Sequence, residues 1–120
     1  MKPRLSDSIR IEHILEAICD LEFFMKDVSF EFFESNKEKQ AAVERKLEII
    51  GEAANKLSES IFYHPQISTP WRKIVNTRNI IIHEYFKVDI EIVYKIAKEE
   101  IIPLKSEIEE ILNNLEQYLS

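Results

Sequence analysis

The chain has few of the residues that make turns and disulfides. Its 120 residues include one glycine, four prolines and one cysteine. Because glycine and proline are scarce, long helices are favoured. The single cysteine, Cys19, cannot form an intrachain disulfide, which suits a reducing compartment. Charges interrupt every apolar stretch well before the roughly 18 residues of a membrane span. We therefore expect no signal peptide, no membrane segment and a cytoplasmic location.

The composition is that of a soluble globular protein, with 45% hydrophobic and 32% charged residues. The length is enough to bury a core without disulfides or a structural metal. We expect residues 1–120 to form a single domain.

The net charge of -6 argues against nucleic acid as a partner, because phosphate binding requires clustered lysine and arginine. The charge is unevenly distributed, however. In the segment from Thr69 to Val88, the bases Arg72, Lys73, Arg78 and Lys87 face one acid, Glu84. A locally basic segment thus belongs to an otherwise acidic protein.

Apolar residues recur at helical spacing along most of the chain, and no segment shows the period of two expected of strands. The spacing predicts helices from about Ser6 to Val28, from about Asn36 to Ser60, from Thr69-Pro70 onward, and from Asp89 to near the end. Ser6, Thr69 and Asp89 are predicted N-caps. The last apolar stripe keeps its phase across Pro103, which predicts a kink rather than an end. We expect an all-α, up-and-down bundle of four to five helices.

Several polar residues do not fit a simple amphipathic third helix. Its predicted apolar stripe comprises positions 71, 74, 75, 78, 81, 82 and 85, with Arg78 at the centre. A charge there costs several kcal/mol unless it is paired. Tyr85 lies two turns beyond Arg78 on the same face, whereas Asn79 and His83 share a neighbouring face. On one helix Arg78 and His83 point about 140° apart.

Each of these residues also has a purely structural explanation. Arg78 could pair with a carboxylate on another helix, Asn79 could be a surface residue, and Tyr85 could pack its ring in the core. Gly51 predicts a close helix crossing, and Glu52 is a candidate partner for Arg78. Cys19 is expected to pack as a small apolar residue. We see no metal-ligand spacing and no glycine-rich loop, and we expect no cofactor.

The stretch "RNIIIHEY", residues 78–85, resembles the R-x4-H-x-Y motif of HepT-like proteins in the HEPN superfamily of helical ribonuclease toxins. Two further stretches also resemble this family: "LEIIGEAANKLS" at 47–58 and "TPWRKIVNTRNIIIHEYFKVD" at 69–89. The resemblance covers nearly the whole chain.

This resemblance implies a homodimer in which two copies of Arg78 and His83 line one cleft. It implies a metal-independent RNA endonuclease, acting as the toxin of a type II or VII toxin–antitoxin module. The implied antitoxin is a nucleotidyltransferase of the MNT type that adds AMP to Tyr85. Asn79 would support the site.

The residue types suit that chemistry, since histidine can act as acid or base near neutral pH and arginine binds phosphate through two hydrogen bonds. Two alternatives remain. The chain could be a catalytically inactive helical partner that docks a nucleotidyltransferase, or a dimerising scaffold without an enzyme partner.

Overall fold

The computed structural model describes residues 3–82 and 89–119, and the regular structure in these ranges is entirely helical. The α-helices are α1 (Pro3–Met25), α2 (Phe30–Ser35), α3 (Lys37–Asn55), α4 (Glu59–Phe62), α5 (Trp71–Ile82), α6 (Ile90–Lys95), α7 (Lys105–Asn113) and α8 (Leu115–Leu119). A π-helical segment (Ile96–Ile101) and a 3-10 turn (Ile102–Leu104) connect α6 to α7. None of the described helices is long and apolar enough to cross a bilayer.

The first helix begins earlier than its sequence predicts. It starts at Pro3, so Ser6 lies inside the helix and the predicted N-cap is wrong. Proline is well tolerated in a first helical turn, where its missing N–H would have no helical partner.

The end of α1 is fixed by side chains from other helices. The helix ends at Met25 rather than Val28, because Asp27 adopts the left-handed conformation with φ of 57°. The carbonyl of Phe24 accepts a hydrogen bond from Lys39 Nζ at 2.7 Å, and that of Met25 accepts one from Lys98 Nζ at 3.1 Å. These cations satisfy carbonyls that have no partner within the helix.

The second long helix begins where the sequence predicts and ends sooner. Asn36 Oδ1 accepts a hydrogen bond from the Lys39 backbone N–H at 2.9 Å, which makes Asn36 the N-cap of α3. The helix ends at Asn55, before the predicted Ser60. The buried carboxylate of Asp7 accepts hydrogen bonds from both the backbone N–H and the hydroxyl of Ser58, at 2.8 and 2.7 Å. These bonds hold the turn that separates α3 from α4.

The two later N-cap predictions have different outcomes. Asp89 caps α6, accepting hydrogen bonds from the backbone N–H groups of Glu91 and Ile92 at 3.0 and 3.4 Å. Thr69 does not cap α5, since its buried hydroxyl has no hydrogen-bond partner. The carbonyl of Pro70 accepts the first helical hydrogen bond, from the Ile74 N–H at 3.0 Å. The N-cap position is therefore Pro70, one residue after Thr69.

The chain remains helical through Pro103, as its apolar phase predicts. The backbone N–H of Ile102 reaches back five residues to the carbonyl of Ala97, and a 3-10 turn follows. The looser π turn accommodates a proline that cannot donate a hydrogen bond. The stripe on both sides of the proline is buried, at Val93, Ala97, Ile101, Ile108, Ile111 and Leu115.

The all-α bundle is confirmed. Helix α3 packs against both α1 and α5, and α7 packs against α1. The core is mainly aliphatic and includes the aromatic side chains of Phe33 and Trp71. One packing prediction is wrong: Cys19 is exposed on α1.

Candidate functional site

Helix α5 is rotated relative to its predicted orientation. Among residues 71–81, the buried ones are Trp71, Ile74 and Thr77, with exposed fractions of 2%, 2% and 4%. The Thr77 hydroxyl donates to the carbonyl of Lys73 at 3.2 Å, which allows this polar residue to be buried. Arg78 therefore lies beside the buried stripe rather than at its centre, and 31% of its side chain is exposed.

Arg78 stands directly over the only glycine of the chain. A β-carbon built on Gly51 would clash with the β-carbon of Arg78 and lie 3.2 and 3.3 Å from its backbone nitrogen and α-carbon. No side chain fits there unless the helices move apart. The predicted close helix crossing is confirmed, and it brings α3 against α5 at Arg78.

The predicted partnership of Arg78 with Glu52 is also confirmed. Arg78 Nε lies 3.6 Å from Glu52 Oε2, in an ion pair that is half exposed. The distance is too long for a hydrogen bond, and Nε is buried without a hydrogen-bond partner. A pair of this kind contributes roughly 0–1 kcal/mol to stability. Glu52 thus contacts the Arg78 guanidinium without a hydrogen bond, and the Nε–H of Arg78 remains unpaired.

Asn79 points away from the core, into an open groove of about 690 Å³. The groove is lined by Pro70, Arg72, Lys73, Val75, Asn76 and Asn79. Lys73 Nζ lies 3.4 Å from Oε1 of Glu100, in the π-helical segment, so the charge of Lys73 is partly neutralised. Arg72 is exposed and gives this face of α5 a basic character.

Two of the four predicted site residues, His83 and Tyr85, lie outside the described residues. Lys87 and Glu84, from the basic segment, also lie outside them. The described part of the site is therefore Arg78 with Glu52 below it and Asn79 beside it. In the described ranges no group of three or more histidine, cysteine, aspartate or glutamate residues could hold a metal ion.

A small basic hollow on the other side of Glu52 was not predicted from the sequence. It has a volume of about 110 Å³ and is lined by Arg10, His13, Ile49, Glu52, Ala53 and Lys56. Arg10 Nε is buried and has no hydrogen-bond partner. The bases come from α1 and from the end of α3, some forty residues apart, so no local pattern could have identified them.

Comparison with known proteins identifies the family. The family described as "Ribonuclease HepT-like" matches residues 14–111. The chain belongs to the HepT-like ribonuclease family. The HepT-like resemblance drawn from the motif is thereby confirmed.

Named relatives agree with this membership. "Probable ribonuclease HepT" of Thermococcus cleftensis is 41% identical over 102 residues, covering 84% of this chain and 91% of that protein. "Putative RNase MJ1380" of Methanocaldococcus jannaschii is 41% identical over 96 residues, covering 80% and 87% respectively. "Putative RNase TTE0752" of Caldanaerobacter subterraneus is 37% identical over 102 residues, covering 85% and 90%. No solved structure matches the chain at a significant level.

The HepT-like match includes the whole crossing of α3 and α5, with Gly51, Glu52 and Arg78. It begins at residue 14, so Arg10 and His13 of the basic hollow lie outside it. The other four lining residues, Ile49, Glu52, Ala53 and Lys56, lie within the match.

Proposed function

We propose that this protein is an RNA endonuclease that cleaves without a metal ion and acts as the toxin of a toxin–antitoxin module. The observation that carries the proposal is the placement of Arg78. Its side chain is 31% exposed and its contact with Glu52 is 3.6 Å long, which is too long for a hydrogen bond. A structural arginine at a helix crossing would gain more from a short, two-point pair with its carboxylate, whereas a phosphate-binding arginine needs accessible N–H groups for its ligand.

The proposed chemistry uses Arg78 and His83. One His83 takes the proton of a ribose 2′-OH, and that oxygen attacks the adjacent phosphorus. The bond from phosphorus to the 5′-oxygen breaks, and a second His83 protonates the departing oxygen. Arg78 binds the phosphate and stabilises the charge that develops on it. The products are a 2′,3′-cyclic phosphate and a free 5′-OH.

Two copies of His83 acting in opposite roles require two chains, so the proposed site is composite and lies at a homodimer interface. This arrangement would also answer the divergence of about 140° between Arg78 and His83 on one helix. The exposed face of α5 supports the proposal, since its groove is open and contains Asn79. Asn79 would contact the RNA or orient the site.

The proposed regulation acts on Tyr85. An MNT-type nucleotidyltransferase would transfer AMP from ATP to the tyrosine hydroxyl, releasing pyrophosphate. Tyr85 lies seven residues after Arg78, about 10 Å along a helix axis. The attached phosphate would place negative charge near the guanidinium that binds RNA. One modification would then inhibit by charge and by obstruction.

One observation favours the alternative of a catalytically inactive docking partner. Arg78 already contacts a carboxylate, Glu52, as an arginine with a structural role would. An activity measurement separates the two functions.

The test is incubation of purified protein with total cellular RNA in the presence of EDTA, followed by analysis of the RNA ends. We expect cleavage, with 2′,3′-cyclic phosphate at the new 3′ ends. Strict dependence on Mg²⁺ would contradict the proposed mechanism, and absence of cleavage would favour the docking role.

A further inference from the structure

The basic hollow formed by Arg10, His13, Glu52 and Lys56 lies next to Arg78, because Glu52 belongs to both. Glu52 lines the hollow, and its carboxylate lies 3.6 Å from Arg78 Nε. Any RNA phosphate bound at Arg78 would therefore leave the neighbouring part of the strand close to the hollow.

The chemistry of the hollow fits a phosphate. Arg10 and Lys56 are cationic and His13 adds a ring nitrogen, against the single carboxylate of Glu52. That carboxylate is partly neutralised by Arg78 on its other side. In a protein with a net charge of -6, such a local excess of positive charge stands out.

Arg10, a partly buried residue, has hydrogen-bonding capacity that the protein does not use. Its Nε is buried yet has no hydrogen-bond partner. A buried donor left without a partner costs about 1–3 kcal/mol, so buried donors are normally paired with protein, water or a ligand. Arg10 Nε and Arg78 Nε are both unpaired in this way, and they belong to the two cations on either side of Glu52.

The size of the hollow limits what it can hold. Its volume of about 110 Å³ corresponds to three or four water molecules at about 30 Å³ each. That is room for a phosphate group, with the sugars and bases of a strand lying outside the hollow.

We propose that Arg10, His13 and Lys56 form a second phosphate subsite, which binds a backbone phosphate of single-stranded RNA adjacent to the one held by Arg78. The inference rests on the proposed function, since it assigns RNA as the ligand. Glu52 separates the two subsites and prevents the two sets of cations from merging into one anion site. The subsite contributes to RNA binding and does not take part in proton transfer.

The test measures binding without cleavage. The full-length protein is titrated with a fluorescent single-stranded RNA in which every ribose carries a 2′-O-methyl group, so that no 2′-OH can attack. Binding is compared between wild type, the pair Arg10→Gln with Lys56→Gln, and the pair Lys26→Gln with Arg45→Gln. Both pairs remove two positive charges, and Lys26 and Arg45 are exposed residues outside the hollow.

We expect the Arg10/Lys56 pair to weaken binding and to reduce the dependence of log K on log salt by about 0.7 for each lost phosphate contact. For each lost contact, the ratio of wild-type to variant affinity should therefore be about fivefold larger at 0.1 M salt than at 1 M salt. The Lys26/Arg45 pair should change the slope little. Lys56→Gln alone is included because Lys56 is exposed, so its substitution leaves the fold intact.

Equal weakening by both pairs would show a general charge effect and would overturn the subsite. Unchanged binding in Lys56→Gln and in the folded Arg10/Lys56 pair would overturn it as well. A separate incubation with unmodified RNA distinguishes failure of the proposed function from failure of the subsite. If the proposed function is wrong, the unmodified RNA stays intact, whatever the binding experiment shows.

Discussion

Gly51 and Arg78 lie in direct contact across the crossing of α3 and α5, with no room for a side chain between them. The arginine stem thereby rests on the backbone of α3, and its guanidinium reaches Glu52, the residue after the glycine. A glycine inside a helix costs roughly 1 kcal/mol relative to alanine. In this protein the glycine allows α3 and α5 to approach closely, which positions Arg78 beside Glu52.

The first prediction tests this contact with Gly51→Ala. The new β-carbon would meet the β-carbon and backbone of Arg78, which cannot yield as a flexible chain end does. Overpacking of this kind costs about 1–3 kcal/mol, more than the gain in helix propensity. We expect lower thermal stability and weaker RNA cleavage together. The matched control is Ala41→Gly on the exposed face of α3, which changes helix propensity without a clash and should leave cleavage unchanged. A Gly51→Ala protein more stable than wild type would contradict the contact.

Much of the fold could be predicted from the sequence because helical spacing is a strong local signal. The long helices, the helix start at Asn36, the Asp89 cap and continuity through Pro103 all depend on residues close in sequence. The predictions that failed depend on tertiary contacts. Ser58 is held by Asp7 from another helix, and this contact ends the second predicted helix early.

The site was only partly predictable for the same reason. Periodicity placed Arg78 at the centre of the stripe, whereas Thr77 takes the buried position by donating to its own helix backbone. Gly51 did predict the crossing of α3 and α5, because the only glycine of the chain lies inside a predicted helix. Arg10 and Lys56 could not be associated, because only the packing of α1 on α3 brings them together.

A second prediction concerns assembly. If the catalytic site is composite, the protein should be a dimer at micromolar concentration, with the exposed face of α5 at the interface. Introducing a charge there by Asn76→Glu should weaken the dimer and reduce cleavage in parallel. Ser106→Glu, which adds the same charge at an exposed position of α7, is the control. Light scattering that shows a stable wild-type monomer, still active on RNA, would refute the shared cleft.

The third prediction concerns regulation. Tyr85→Phe should remain active, because the hydroxyl takes no part in the proposed acid–base steps. It should resist inhibition by an MNT-type nucleotidyltransferase with ATP. Mass spectrometry should detect an AMP adduct on wild type and none at this position in the variant. If the nucleotidyltransferase inhibits Tyr85→Phe as strongly as wild type, inhibition occurs by docking alone.

The fourth prediction concerns pH. Burial raises the pKa of the Glu44 carboxyl above its ordinary value of 4.5, because desolvation disfavours the charged form. The folded protein therefore binds this proton more tightly than the unfolded chain, and the contribution of Glu44 to stability is lost as pH rises through the folded pKa. Glu44→Gln should raise the free energy of unfolding at pH 7, with the gain disappearing at pH 4.

Urea unfolding at the two pH values measures this difference. The control is Glu16→Gln, an exposed residue of α1, which should show no comparable gain. A Glu44→Gln protein that is less stable than wild type at pH 7 would show that the carboxylate is stabilised by its surroundings.

The most direct test of the central claim, that Arg78 and His83 cleave RNA, is the rate of cleavage of a single-stranded RNA in EDTA by matched variants. Removing an acid–base group typically costs 10²- to 10⁴-fold. We expect His83→Ala and Arg78→Ala each to lower the rate at least about 100-fold while circular dichroism shows an intact helical fold. The controls His64→Ala in the loop before α5 and Arg45→Ala on the surface of α3 should cleave at the wild-type rate. Wild-type rates in both His83→Ala and Arg78→Ala would contradict the account.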